Sequence, residues 1–301
     1  MVSFSVVMSV YNGAAELPAT LDSILGQTMR DFEVVVVDDG SGDATPSILV
    51  EYAARDGRIR VLSQANSGLT RALIRGCGEA RADVIARHDC GDRSHPERFA
   101  RQLALLEEGH VLVSCAARFS TSEGDELYVA RAEGEEVRRS LLADDAARIH
   151  ALPHHGSAMF RRDAYVTAGG YRPQFRLAQD LDLWLRIAQL GTIAILPDVL
   201  YEATLDARSL SGLSRTEQVR LTALAIALRD GGDASLLDEA ARIVPARASR
   251  SGEAAALYFI GKCLLQQRNA KWRRYLCDAV ARNPWHWRAW VGLLLGRFGV
   301  R

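Results

Sequence analysis

The chain lacks a long apolar run. Its nearest approach, Ala289 to Leu295, falls well short of the roughly 18–20 residues that a membrane-crossing helix needs, which excludes a transmembrane segment. Met1 to Val10 is apolar but has no basic leader and no cleavage signature, so it reads as a strand and not as a signal peptide. Cysteine is scarce: Cys77, Cys90, Cys115, Cys263 and Cys277 are five in number, scattered, and without C-x-x-C spacing. That argues against a disulfide framework and a zinc site, and fits a reducing, cytoplasmic compartment. Neither sign of charge is in excess, 37 Lys and Arg balancing 37 Asp and Glu, so nothing in the composition points to nucleic acid. No Gly-x-Gly-x-x-Gly follows the first strand. Gly76 and Gly78 fall at a helix end, which argues against a dinucleotide site. A glycine-rich, basic phosphate loop after that strand is missing too, and with it the main sign of a nucleotidyltransferase.

What is present is an alternation of strands and helices. Phe4 to Val10 is a valine-rich strand, followed by the turn Tyr11-Asn12-Gly13 and by Leu17, Leu21, Ile24 and Leu25 at helical spacing. Phe32 to Val37 is almost unbroken valine, as suits a strand buried on both faces of a parallel sheet, and it ends in Asp38-Asp39-Gly40-Ser41. Thr45 and Pro46 supply an N-cap and a first-turn proline for a helix carrying Ile48, Leu49 and Tyr52. A strand over Arg58 to Leu62, a helix over Leu69 to Ala80 and a strand over Asp83 to His88 complete β-α-β-α-β-α-β, the order of parallel strands with crossover helices. Val111 to Ala116 reads as a further strand and Ser120 to Glu136 as a polar, acidic surface excursion. After Gly169-Gly170-Tyr171 a helix places Leu181, Trp184, Leu185 and Ala188 on one face and Asp180 and Asp182 in its first turn, and Thr192 to Leu196 returns as a strand. Beyond Ser211 only helical patterns follow, so residues 1–213 read as an α/β domain and 214–301 as an all-helical appendage.

The stretch from Ala86 to Phe99 concentrates the chemistry. Asp89 and Asp92 stand in a loop after a strand and before the helix opened by Pro96, where open α/β sheets bind ligands, so they suit a divalent cation or a sugar. The same residues also fit a plain helix start, with Ser94 and Glu97 as a capping box.

Together with Val-Val-Met-Ser-Val-Tyr-Asn, Val-Val-Asp-Asp-Gly-Ser, Asn66-Ser67-Gly68-Leu69, His95-Pro96-Glu97-Arg98-Phe99, Gly-Gly-Tyr-Arg and Ala-Gln-Asp-Leu-Asp-Leu-Trp-Leu-Arg, in that order, these residues resemble glycosyltransferase family 2 over about residues 3–212. The resemblance implies a GT-A fold, a mostly parallel central sheet between helices, and inverting transfer from a nucleotide-diphospho-sugar. It implies that Ser9 and Tyr11 line the base and ribose pocket, that Asp39 accepts a hydrogen bond from the base, often uracil, that Asp38 supports this loop, and that the segment of His155 closes around the donor sugar. Asp180 would be the catalytic base, since an acceptor hydroxyl must lose its proton as it attacks. Mg²⁺ or Mn²⁺ on Asp89 and Asp92 would neutralise the nucleoside diphosphate leaving group.

Two positions depart from the family's pattern. Gly91 stands where its metal loop ordinarily has a middle carboxylate, which weakens the expected metal dependence. Asp206 stands where related chains commonly have a histidine before Ser209-Leu210-Ser211, and it offers a carboxylate near the phosphates. The expected function is transfer of a sugar, with a UDP-sugar the favoured donor, to a hydroxyl of a glycan or lipid-linked acceptor in cell-surface polysaccharide synthesis. The rival prompted by Gly91 is a catalytically weakened nucleotide-sugar-binding protein of the same fold.

The charge is unevenly spread. From Thr216 onward 14 Lys and Arg face 7 Asp and Glu, and from Lys262 onward nine basic residues interleave with Trp272, Trp285, Trp287 and Trp290. Tryptophan amid basic residues suits peripheral contact with the inner face of the cell membrane; a helical cap with a solvated basic face is the other reading.

Overall fold

A computed structural model describes residues 2–150, 152–206, 215–245 and 249–297. Strands β1 (Phe4–Val10), β2 (Phe32–Asp38), β3 (Ile59–Ser63) and β4 (Val84–Arg87) run parallel, joined by helices α1 (Leu17–Leu25), α2 (Thr45–Arg55) and α3 (Leu69–Glu79). The unbroken valines of β2 have the predicted cause. Val35 faces one core with Val7 and Leu73, while Val34 and Val36 face another with Phe4, Leu49 and Phe99, so neither face meets water.

The remaining strands are β5 (Arg93–Ser94), β6 (Leu112–Ser120), β7 (Glu126–Ala130), β8 (Met159–Arg161) and β9 (Ile193–Thr204). The sheet order is β3-β2-β1-β4-β8-β6-β9-β5, with β7 on the outer part of β6. It is mixed: β8 is antiparallel to both β4 and β6, and β6 is parallel to β9. Helices α4 (Arg98–Glu107), α5 (Gly134–Leu141), α6 (Arg162–Thr167) and α7 (Gln179–Ile187) cover its faces.

Three local expectations are corrected. Thr45 does not cap α2; Ala44 holds that position, and Thr45 Oγ1 instead accepts the Gly13 N–H at 3.0 Å, tying α2 to the loop after β1. Ser94 and Glu97 form no capping box, because Ser94 is drawn into β5 opposite Tyr201 and its hydroxyl accepts from Arg98 Nη1 at 2.8 Å. The polar stretch after Ser120 is not mere surface excursion, since Glu126–Ala130 returns as β7.

The helices at the carboxyl end fall into two groups. Helices α8 (Arg215–Arg229) and α9 (Ser235–Arg242) bury Leu221, Ile226 and Ala240 in the main core with Trp184, so that core continues past the expected boundary. The boundary near residue 213 and the Ser209-Leu210-Ser211 segment lie outside the described residues. Helices α10 (Arg250–Gln266), α11 (Trp272–Arg282) and α12 (Trp287–Arg297) form a separate unit. Its Ile260 and Leu264 pack on Leu127 of the β6–β7 hairpin, and Lys271 pairs with Asp125 at 2.7 Å and Glu123 at 3.1 Å beside it.

Candidate active site

The order β3-β2-β1-β4 means that the chain winds away from β1 in both directions, which opens a crevice beyond the carboxyl ends of β1 and β4. Tyr11 follows β1, Asp39 follows β2 and Asp89 lies just past β4, so residues far apart in sequence converge there.

On the β1–β2 side the loops are tied to one another. Asn12, at a left-handed φ of 51°, donates its N–H to Ser41 Oγ at 2.9 Å and accepts the Gly42 N–H at 2.8 Å. Asp38 is buried and accepts the Ser41 N–H at 3.0 Å, which ties it to the loop after β2. Asp39 is buried as well. Its Oδ1 accepts from Gln64 Nε2 and the Ser67 N–H, and its Oδ2 accepts the Gly68 N–H at 2.8 Å, which fixes the turn before α3. Ser9 is half-buried near the end of β1, and Tyr11 presents an aromatic ring at 56% exposure.

On the β4 side Asp89, Asp92 and His154 each bring a ligand atom to within 4.8 Å of the others. Burial is the largest single influence on Asp89 and works against its charge, but the guanidinium of Arg87, 2.7 Å from Oδ1, together with the neighbouring histidines holds the carboxyl down to about 2. Burial, with the Asp89 charge adding to it, pushes Asp92 up to about 7 against hydrogen bonds from the Thr204 N–H and Tyr201. Burial lowers the His154 pKa and so favours the neutral imidazole that ligates metals, and its Nδ1 is buried with no hydrogen-bond partner. Two carboxylates and an unpartnered imidazole are a donor set suited to Mn²⁺ or Mg²⁺. Asp206, two residues past the end of β9, is not one of the three.

Gly91 now has a physical reason. Its φ is +100°, a region costly for any L side chain, and its backbone is held by Thr20 Oγ1 at the N–H and Thr204 Oγ1 at the carbonyl, both at 3.0 Å. A carboxylate there would strain the loop. Gly156 is required by proximity, since an added Cβ would lie 2.1 Å from the Tyr201 hydroxyl and 2.9 Å from Asp89 Oδ2.

Asp180 lies at the start of α7, which Ala178 enters at a left-handed φ of 52°. Its Oδ1 accepts the Leu181 N–H at 2.9 Å. Burial raises its pKa, and the charge of Asp89 adds to the rise while Arg87 opposes it. A carboxylate so placed holds a proton more readily than one in water. Asp182 points elsewhere, into Arg186 at 2.5 Å and Arg172 at 3.1 Å.

Residues 5–167 match Glycosyl transferase family 2. AmsE of Erwinia amylovora, an amylovoran biosynthesis glycosyltransferase, is 32% identical over 206 residues, which cover 65% of this chain and 74% of AmsE. The chain belongs to glycosyltransferase family 2. Among solved structures, S. aureus TarS with UDP superposes with a TM-score of 0.60 at 15% identity, over 99% of this chain and 92% of that one. The mannosyltransferase PcManGT of Pyrobaculum calidifontis, with GDP-Man and Mn²⁺, gives 0.59 at 20% identity, over 98% and 85%. These likenesses establish the GT-A-type fold.

In this family 2 chain the resemblance assigned His155 to the donor-sugar segment; the histidine that joins the two carboxylates is its neighbour His154, which the sequence did not single out. His155 is buried, its Nε2 set between the Tyr171 hydroxyl at 2.7 Å and Arg87 Nε at 3.3 Å. His154 is extended and His155 opens a short 3-10 turn, and the two rings part: His154 meets Phe119 and Tyr201, His155 meets Tyr171 and Trp184. Three supporting residues also escaped the sequence reading. Arg87 and Arg98 are fully buried, and Arg98 spans Gln102, Ser94 and the carbonyls of Arg87 and Gly156 while stacking on the Tyr201 ring at 4.8 Å. Tyr201 in turn accepts the Asp89 N–H at 3.2 Å. Only the buried charge in Ala-Arg-His-Asp and in Pro-Glu-Arg-Phe hinted at them.

Proposed function

We propose that this transferase inverts the sugar it moves, from a nucleotide-diphospho-sugar with UDP the favoured carrier, to a hydroxyl of a glycan or lipid-linked acceptor in cell-surface polysaccharide synthesis. The observation that carries the reading is the trio Asp89, Asp92 and His154 at the strand-order switch, with Asp180 close enough to feel the charges of Asp89 and Arg87. Tyr11 would stack on the base or ribose beside Ser9, and Asp39, braced by Asp38, would accept from the base edge. Asp89, Asp92 and His154 would hold Mg²⁺ or Mn²⁺, which would supply charge neutralisation on the diphosphate. His155, bound to Arg87 and Tyr171, supports the wall on which the donor sugar would rest.

In the transfer step the acceptor oxygen forms a bond to the anomeric carbon from the side opposite the diphosphate, and Asp180 takes the hydroxyl proton. The bond from the anomeric carbon to the phosphate oxygen breaks, its electron pair leaves with the nucleoside diphosphate, and the anomeric configuration inverts. Burial suits Asp180 to this task, because a raised pKa makes its carboxylate a stronger base.

The test is transfer from a panel of UDP- and GDP-sugars, with the product's anomeric configuration read by NMR. An inverted product whose formation needs added Mn²⁺ is expected; a retained configuration would overturn the role given to Asp180.

A further inference from the structure

Helix α12 is packed the wrong way round for a soluble protein. Its face toward α11 is made of small residues: Ala289 is fully buried, a Cβ on Gly292 would lie 2.8 Å from Leu276, and one on Gly296 would lie 2.4 Å from the Trp272 ring. Its large apolar residues look outward. Trp287, Trp290, Val291, Leu294 and Leu295, at spacings of three and four, form one stripe in which every residue is at least 40% exposed. Trp285, just before the helix, is 90% exposed.

A groove of about 960 Å³ between α10, α11 and α12 shares Trp287, Val291 and Leu295 with the stripe, and its walls also carry Lys262, Arg268 and Arg288 but no acidic residue. We propose that this three-helix unit docks on the surface of an anionic phospholipid membrane, with the α12 stripe entering the boundary between headgroups and acyl chains and the basic groove facing lipid phosphates. An apolar stripe edged by cations and rich in tryptophan has the chemistry of that boundary. No helix among the described residues is long and apolar enough to cross the bilayer, so the contact is peripheral. A second copy of the chain fits less well, since a two-fold contact through this face would set its cations against their own images. The inference does not depend on the transfer reading, because membrane binding is measured without donor or acceptor.

The test is flotation of the full chain with vesicles of phosphatidylcholine alone and of phosphatidylcholine carrying phosphatidylglycerol. Binding is expected to the mixed vesicles only, and to weaken with salt. Each basic residue near an anionic surface is worth about fivefold in partition, so Arg268→Ser with Arg288→Ser should weaken binding about 25-fold. Trp290→Ser with Leu294→Ser should abolish it with the thermal midpoint little changed, because both side chains are about half exposed and the hydrogen bond lost, from Trp290 Nε1 to the Pro284 carbonyl, is an exposed one. Wild-type protein that stays unbound on mixed vesicles overturns the proposal. So does equal flotation of wild type and both variants, or a concentration-dependent dimer that the Trp290 variant dissolves.

Discussion

Arg87 and Arg98 are fully buried beneath the ligand-binding edge of the sheet, whereas Trp285, Trp287 and Trp290 stand in the open on the three-helix unit. Each region reverses the usual partition, in opposite senses. Beneath the sheet edge, charge is taken out of water and each guanidinium nitrogen of Arg87 and Arg98 is given an acceptor, which fixes Asp89 and its surroundings against thermal drift. On the helical unit, apolar area is left exposed at a cost in solubility, which marks it as a surface for something that is not water. One region fixes geometry with buried charge; the other leaves apolar area uncovered. The two meet at Phe119, whose ring stacks on Tyr128 with centroids 4.6 Å apart and meets His154 edge-on at 5.3 Å, while Tyr128 meets Phe259 of α10.

The largest effect is expected from Asp180→Asn, which should lower kcat by about 10²–10⁴ with donor affinity unchanged, as read by initial rates and calorimetry. Turnover within a few-fold of wild type would remove the base. The pH profile has a defined sign. Burial raises the Asp180 pKa, so kcat should fall as pH drops through a value above the ordinary aspartate range. The same raised pKa means that ionised Asp180 costs folding stability above that pH, a cost absent below the unfolded value. Asp180→Asn should therefore not lower the thermal midpoint at neutral pH.

The same residue type then separates the two regions. Arg98→Met leaves buried carbonyls of Arg87 and Gly156 without a donor and should cost on the order of 3 kcal/mol in urea unfolding, while Arg288→Ala on the helical unit should stay within about 0.5 kcal/mol. Equal losses would erase the contrast. His154→Ala should weaken Mn²⁺ binding at least about tenfold by calorimetry, with nucleoside stacking on Tyr11 intact. Unchanged Mn²⁺ affinity would leave the carboxylates as the whole site. The smallest effect is expected at the junction: Phe119→Leu removes the ring contacts to His154 and Tyr128 and should cost about 1 kcal/mol of stability, with a few-fold loss of Mn²⁺ affinity. A loss of stability alone would mean that the helical unit does not bear on the site.

The amino-acid order by itself settled the elements from β1 to β4 and helix α7, though not β5 or β7. β1 runs over Phe4–Val10 as its valines predict, and α7 buries Leu181, Trp184, Leu185 and Ala188 on the expected face. Periodicity and burial are written locally, in residues that touch the same face a turn or two apart. The family motifs likewise named Asp39, Asp89 and Asp180 as candidates, and the fold brings their elements to one edge of the sheet. Tertiary structure decided what lay between them. Ser94 gave up a cap for a strand opposite Tyr201, and Thr45 turned to Gly13. His154, which no motif marked, took the place beside Asp89 and Asp92. The left-handed turn at Gly91 removed a carboxylate from a loop where two already compete for one site. Such choices depend on which distant segments meet and on which neighbours a single side chain finds there, and only the folded sheet fixes either.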